Sequence, residues 1–195
     1  MITITDAAQD KIQEILANED ESNLALRMQI MGRGPGGFRY SLRFVPQDQQ
    51  QADDEKVEFE QFSVLIDAES AENMKGSSVD FKQDTFRSGF MIDNPNPVWK
   101  DPVAQSIQDL LDSKINPSVG AHGGFVSLLN YEDGTAYIAF GGGCQGCGMV
   151  DVTLKQGVEV MIKEGIAEVS NIVDTTDHTS GESPYYASKE GQSAV

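Results

Sequence analysis

One stretch limits this chain's fold more than any other: Gly141-Gly142-Gly143-Cys144-Gln145-Gly146-Cys147-Gly148, which holds both cysteines and five glycines. Before it, Thr135–Phe140 alternates and reads as a strand; after it, Val150, Leu154, Val158 and Met161 fall at helical spacing. The stretch is thus a strand-to-helix loop. Glycines give it a backbone free to take positive φ and to turn amides outward. A Cys-x-x-Cys spacing brings two thiolates to one metal, or closes them on each other as a disulfide, and the helix start beside them favours the thiolate form.

Two cysteines do not complete a metal site. Structural zinc takes four ligands, and a cubane iron–sulfur cluster takes four thiolates. The deficit is met by other side chains, by a second copy of the chain, or by no metal at all. His122 and His178 are the only histidines, and completing a zinc module with either is one alternative. Both read as solvent-facing, His122 in a glycine loop and His178 in a polar tail. A dithiol–disulfide oxidoreductase is a further alternative, but it wants a thioredoxin-like βαβ setting, and here a hairpin precedes the motif.

The 195 residues suffice for one medium or two small domains, and a core at this size needs no covalent staple. Two neighbouring cysteines are no secreted disulfide framework, which points to a reducing compartment. No window reaches the ~20 apolar residues of a membrane span, and the N-terminus lacks a basic-then-apolar leader, so a soluble cytoplasmic protein without membrane contact is expected. Net charge is −17, from 31 acids against 14 Lys and Arg, spread over both halves, which excludes a phosphate-binding face and nucleic acid as partner. No nucleophile, histidine and acid stand at recognisable spacing, so no enzyme is expected. Asp53-Asp54-Glu55 reads as a solvated loop, and Trp99 and Met91 as inter-domain packing.

In order, Thr5 caps a helix whose Ala8, Ile12, Ile15 and Leu16 share a face. Leu24–Ile30 and Phe38–Phe44 alternate and pair as a hairpin around Gly32-Arg33-Gly34-Pro35-Gly36-Gly37, a turn-making loop. Val57–Phe62, Val64–Asp67, Val79–Gln83 and Gly89–Ile92 read as strands, with a helical turn over Ala68–Met74. The stiff Asn94-Pro95-Asn96-Pro97 marks a boundary. Asp101 and Pro102 then start a helix whose stripe of Val103, Ile107, Leu110 and Leu111 stops at Asn116-Pro117. A second glycine loop, Val119–Gly124, leads into Phe125–Asn130 and Thr135–Phe140, a hairpin signalled by Asp133-Gly134. The cysteine loop and its helix follow, then a strand over Glu168–Val173 and, from Asp174, a polar tail expected to be disordered. The fold class is α+β.

Met31-Gly32-Arg33-Gly34-Pro35-Gly36-Gly37-Phe38-Arg39-Tyr40 and Gly89-Phe90-Met91-Ile92-Asp93-Asn94-Pro95-Asn96 resemble the A-type iron–sulfur carrier domain. That family places a cysteine where this chain has Pro35, and a Cys-x-Cys pair near Pro97-Val98-Trp99-Lys100. All three are missing. The resemblance implies a mostly antiparallel β domain with helices that keeps the A-type fold and binds no cluster in the family's way, leaving a docking or structural role. Gly120-Ala121-His122-Gly123-Gly124, Gly143-Cys144-Gln145-Gly146-Cys147 and Leu154-Lys155-Gln156-Gly157-Val158-Glu159 resemble the NifU C-terminal (Nfu) domain, a small α/β unit of helix–hairpin–helix order. His122 stands where that family often has Asp, so position 122 inherits no role.

The expected layout is an A-type-like domain over 1–96, a linker over 97–101, an Nfu domain over 102–174 and a flexible tail over 175–195. The likeness implies a carrier that takes an iron–sulfur cluster from an upstream scaffold and passes it to apo iron–sulfur proteins. Its ligands are then Cys144 and Cys147. Counting thiolates gives one [4Fe-4S] cluster per homodimer, the cluster joining two chains that carry −17 each.

Overall fold

A computed structural model of the chain describes residues 2–21, 23–83, 88–121, 123–142 and 151–176. The chain divides into two compact units, Met1–Gly32 with Phe38–Pro97, and Arg33–Gly37 with Val98–Val195.

The first unit is built on α1 (Asp6–Asn18) and two sheets. Thr5 caps α1, its side chain accepting from the Ala8 amide, and Ala8 and Ile12 are fully buried. One sheet runs β1 (Thr3–Ile4), β6 (Ser78–Gln83), β7 (Ser88–Asp93); the other runs β3 (Gly37–Pro46), β2 (Leu24–Gly34), β5 (Ser63–Ile66), β4 (Glu55–Glu58). β4–β5 and β6–β7 are antiparallel, whereas β1–β6 and β2–β5 are parallel. Leu26, Met28, Val64 and Ile66 alternate inward from the parallel pair and meet Ile4, Ile12, Met74 and Val79 in one core. The short α2 (Ala68–Asn73) is capped by Asp67, which accepts from the Ser70 amide at 3.0 Å.

One reading changes here. Asp54, expected to be solvated, has a fully buried side chain ion-paired to Arg27 of β2, and it also accepts from the Gln51 amide. The pair ties the loop after β3 to β2, and burying both charges together avoids the penalty of an unpaired one.

The second unit places α3 (Pro102–Leu110), a π turn (Leu111–Ile115), α4 (Asn116–Gly120) and α5 (Asp151–Gly165) against one sheet ordered β10 (Asn171–Asp174), β9 (Thr135–Gly142), β8 (Gly124–Glu132). Asp101 caps α3, accepting from the Val103 and Ala104 amides at 2.9 and 2.8 Å, with Pro102 at the helix start. The helical run does not stop at Asn116-Pro117 as expected. The π turn widens the helix just ahead of Pro117, the adjustment by which a helix accommodates a ring that would strike the carbonyl four residues back. Asn116 then acts as a strand partner, its amide donating to the Val126 carbonyl and accepting from the Val126 N–H.

Asp133 and Gly134 take φ of 48° and 74°, as a two-residue hairpin requires, and β8 and β9 pair antiparallel through them. Ile107, Leu111 and Ile115 from the helices pack on Val126, Leu128, Ile138 and Phe140 from the sheet. Trp99 packs on this core and donates to Gln108, with the Arg33 guanidinium 4.5 Å above its ring. Within the same unit Gly36 donates to Asp112 at 2.8 Å, and Gln108 to the Gly34 carbonyl at 3.2 Å. The Gly32–Gly37 segment turns at Pro35-Gly36, with Gly36 at φ 78°, the sequence and conformation a type II turn uses.

Candidate functional site

Cys144 and Cys147 lie in Gly143–Val150, outside the described residues, as do His122, His178 and the tail from residue 177. The described structure supplies the two stems that carry the cysteine loop: the end of β9 and the body of α5.

The β9 stem ends on two glycines, and at Gly142 the backbone requires one. Gly141 pairs with Phe125 across the hairpin, and a Cβ there would come within 2.8 Å of three Phe125 ring atoms. Gly142 has φ 64°, and a Cβ on it would stand 2.5 Å from the Gly123 carbonyl oxygen. The chain therefore leaves the sheet in a left-handed conformation, pressed against Gly123 and Gly124 where β8 begins.

The α5 stem is held by packing. Val158, Ile162 and Ile166 are buried at four-residue spacing, with Leu154 packed beside them. Met161, expected on the buried stripe, is 38% exposed, because an i, i+4 series through Val158 selects Ile162 instead; Val150 lies outside the described residues.

The last strand joins both stems. β10 runs parallel to β9, pairing Asn171 with Thr135 through Asp174 with Ile138. The structure describes the segment after it, read as tail from Asp174, through Thr176. Thr175 donates its N–H to the Ile138 carbonyl at 2.9 Å, and the Thr176 hydroxyl oxygen accepts from the Phe140 N–H at 2.8 Å. Asp174 is 2% exposed at its side chain. Its Oδ1 accepts from the Thr176 N–H and hydroxyl, and its Oδ2 accepts from Lys155 Nζ of α5 at 3.1 Å. Sequence reading missed Asp174 and Thr176, taking them for the start of the tail. The one available signal was Lys155, a lone cation in the quoted helix motif.

Among the described residues no three of His, Cys, Asp and Glu converge as a metal-holding group. In the first unit Tyr40 accepts from Asn94 at 2.8 Å; burial pushes its hydroxyl above the ordinary range, and that hydrogen bond opposes the rise. Asp67 is displaced the other way. Burial raises its carboxyl, but hydrogen bonds from the Ser70 backbone and side chain and from Gln29 outweigh it and leave the group below the usual range. No helix among the described residues is long and apolar enough to cross a membrane.

Comparison with known proteins places these features. The Iron-sulphur cluster biosynthesis family matches residues 1–98, and the NifU-like domain matches residues 107–173, which include the cysteine loop and both of its stems. The Fe/S biogenesis protein NfuA of Yersinia pestis (strain Pestoides F) is 35% identical over 192 residues, 95% of this chain and 100% of that protein. The chain belongs to the NfuA family of Fe/S biogenesis proteins. The NfuA protein of Yersinia pseudotuberculosis serotype O:1b shows the same identity and coverage. Among solved structures, IscA with the [2Fe-2S] cluster covers 50% of this chain and 85% of its own at 27% identity and TM-score 0.41. Escherichia coli SufA covers 48% and 80% at 26% identity and TM-score 0.42. The chain joins the two domain families in this order, which makes it a protein of iron–sulfur cluster biosynthesis with α+β architecture.

Proposed function

We propose that this NfuA-family chain is a carrier that holds a [4Fe-4S] cluster on Cys144 and Cys147, receives it from an upstream scaffold and releases it to apo iron–sulfur proteins. The observation that carries the reading is that the only two thiols of the chain fall in the NifU-like match, on a glycine-rich loop between β9 and α5. Thiolates suit iron and sulfide. A cubane has four iron corners, so one chain leaves two corners to water, while two chains meeting at their cysteine loops fill all four under two-fold symmetry. Cluster binding and dimerisation are then one linked equilibrium, opposed at long range by −17 on each chain. The protein performs no reaction on the cluster beyond ligand exchange, and it works in the cytoplasm.

The same reading divides the labour. Residues 102–174 hold the cluster, and residues 1–96, with no cysteine at all, dock recipients and raise the cluster's effective concentration beside them. Anaerobic reconstitution with iron and sulfide, followed by Mössbauer spectra and metal and sulfide counts, tests the cluster. Four irons and four sulfides per two chains are expected. Zinc alone, or a Cys144–Cys147 disulfide that resists reconstitution, overturns the reading. Sedimentation of the loaded protein before and after iron chelation tests the bridge, and a dimer unchanged by chelation overturns it.

A further inference from the structure

The cysteine loop has two stems, and a single carboxylate touches the structure that holds each of them. Asp174 Oδ2 accepts from Lys155 in the second turn of α5. Oδ1 fixes Thr176, whose hydroxyl oxygen in turn accepts from the Phe140 N–H on β9, two residues before the strand ends at Gly142. The side chain is 2% exposed while that of Lys155 is 37% exposed. The carboxylate is thus almost wholly removed from water, and Lys155 and Thr176 are among the groups that satisfy it. An edge strand four residues long does not need an ion pair to a helix in order to pair with β9. The pair instead links α5 to the strand end, across the root of the loop.

We propose that Asp174 is a positioning residue for the cluster site: by clamping α5 to the end of β9 it fixes the separation of the stems and thereby pre-organises Cys144 and Cys147. This rests on the carrier reading above. A loop whose ends are fixed presents its two thiolates with less ordering to be done on binding, so the clamp sets how tightly the cluster is held. It touches neither iron nor sulfide.

The test uses the full-length protein. Asp174→Ala is compared with wild type and with Val169→Ala, a substitution at a residue 4% exposed in the same core that lowers stability without touching the clamp. Two rates are read: iron loss from anaerobically reconstituted protein to the chelator bipyridyl, and iodoacetamide alkylation of Cys144 and Cys147 in the apo-protein, followed by mass spectrometry. Asp174→Ala is expected to lose iron about tenfold faster and to change both alkylation rates, with Val169→Ala at the wild-type values. Lys155→Met reproduces the effect and Lys155→Arg restores wild-type rates; these two decide the matter if Asp174→Ala does not fold. Wild-type rates in Asp174→Ala or Lys155→Met, or equal acceleration in Val169→Ala, overturn the proposal. If no protein, wild type included, assembles a cluster, the carrier reading fails, and the alkylation rates alone decide the clamp by the same comparison.

Discussion

Two of the glycine-rich loops of this chain look alike in sequence and are held in different ways. In Gly32–Gly37 the turn closes a hairpin, and Gly36, at φ 78°, has open space where a Cβ would go. At Gly141–Gly142 the backbone is pressed against Phe125 and Gly123, so an added methyl group meets an aromatic ring or a carbonyl oxygen. The first loop needs glycine for its conformation alone; the second needs it for conformation and for room. The regions around them repeat the contrast. Both units bury a complete apolar core, yet only one carries thiols. Core packing determines whether a domain folds, and a few loop residues determine whether it binds, so the first unit buries its core with no cysteine in its sequence.

The sharpest break between the regions is chemical. Cys144→Ala or Cys147→Ala is expected to abolish cluster assembly, measured as iron and sulfide per chain, while circular dichroism stays at wild type because a loop thiol adds little to the core. A full complement of iron in either variant removes the contrast. Next comes separation of the regions. A fragment from Val98 to the end is expected to bind cluster, and residues 1–97 to bind none. The fragment also lacks Arg33–Gly37, so Gln108 and Asp112 lose the Gly34 and Gly36 partners and Trp99 loses its cation. Its melting point should fall by about 10 °C, the shift that roughly 2 kcal/mol produces in a unit of this size. Equal transfer rates from fragment and full-length protein to several apo-proteins would leave the first unit a structural role only.

How much of this was readable in the sequence depends on the range of the interaction. Thr5 and Asp101 as caps, and Asp133-Gly134 as a hairpin, are set by neighbours a few residues away, and the structure has them as read. The parallel pairings β1–β6, β2–β5 and β9–β10 join segments far apart in the chain, and nothing local encodes their partners. What depends on those pairings was unreadable for the same reason. Asp174 reads as tail because its partner Lys155 is 19 residues away and its strand is placed by a parallel neighbour. Asp54 reads as solvated because Arg27 is remote. The π turn before Pro117 escaped because a proline inside a helical pattern normally ends it. Residue type and spacing alone single out Cys144 and Cys147, which lie outside the described residues.

A smaller effect separates the two loops directly. Gly36→Ala forces only an unfavourable φ and should cost about 1–2 kcal/mol. Gly142→Ala adds a contact with a backbone oxygen that cannot swing aside, so about 3 kcal/mol or more is expected. Denaturant unfolding of the two variants checks this, and iron loss to a chelator should accelerate for Gly142→Ala alone. Equal destabilisation would mean that the room around Gly142 is not what selects glycine there.

The smallest expected effect compares helix caps. Asp67 caps α2 in the first unit and Asp101 caps α3 in the second. Alanine at either should cost about 1 kcal/mol, since an N-cap side chain satisfies amides that the helix leaves unpaired. Asp67 adds a pH dependence. Its carboxyl titrates below the ordinary carboxylate range, because hydrogen bonds from Ser70 and Gln29 outweigh the effect of burial. A depressed folded value means that the unfolded chain takes up the proton first, so the charge contributes stability above the unfolded value near 4 and loses it as pH falls through the folded one. Asp67→Asn keeps a capping oxygen but has no proton to gain. Its stability difference from wild type should therefore be a few tenths of a kcal/mol at pH 7 and shrink steadily below about pH 4. Unfolding midpoints for the pair at pH 7, 5 and 3 measure it. A gap that stays constant down to pH 3 would show that the Asp67 charge contributes nothing to the first unit's stability.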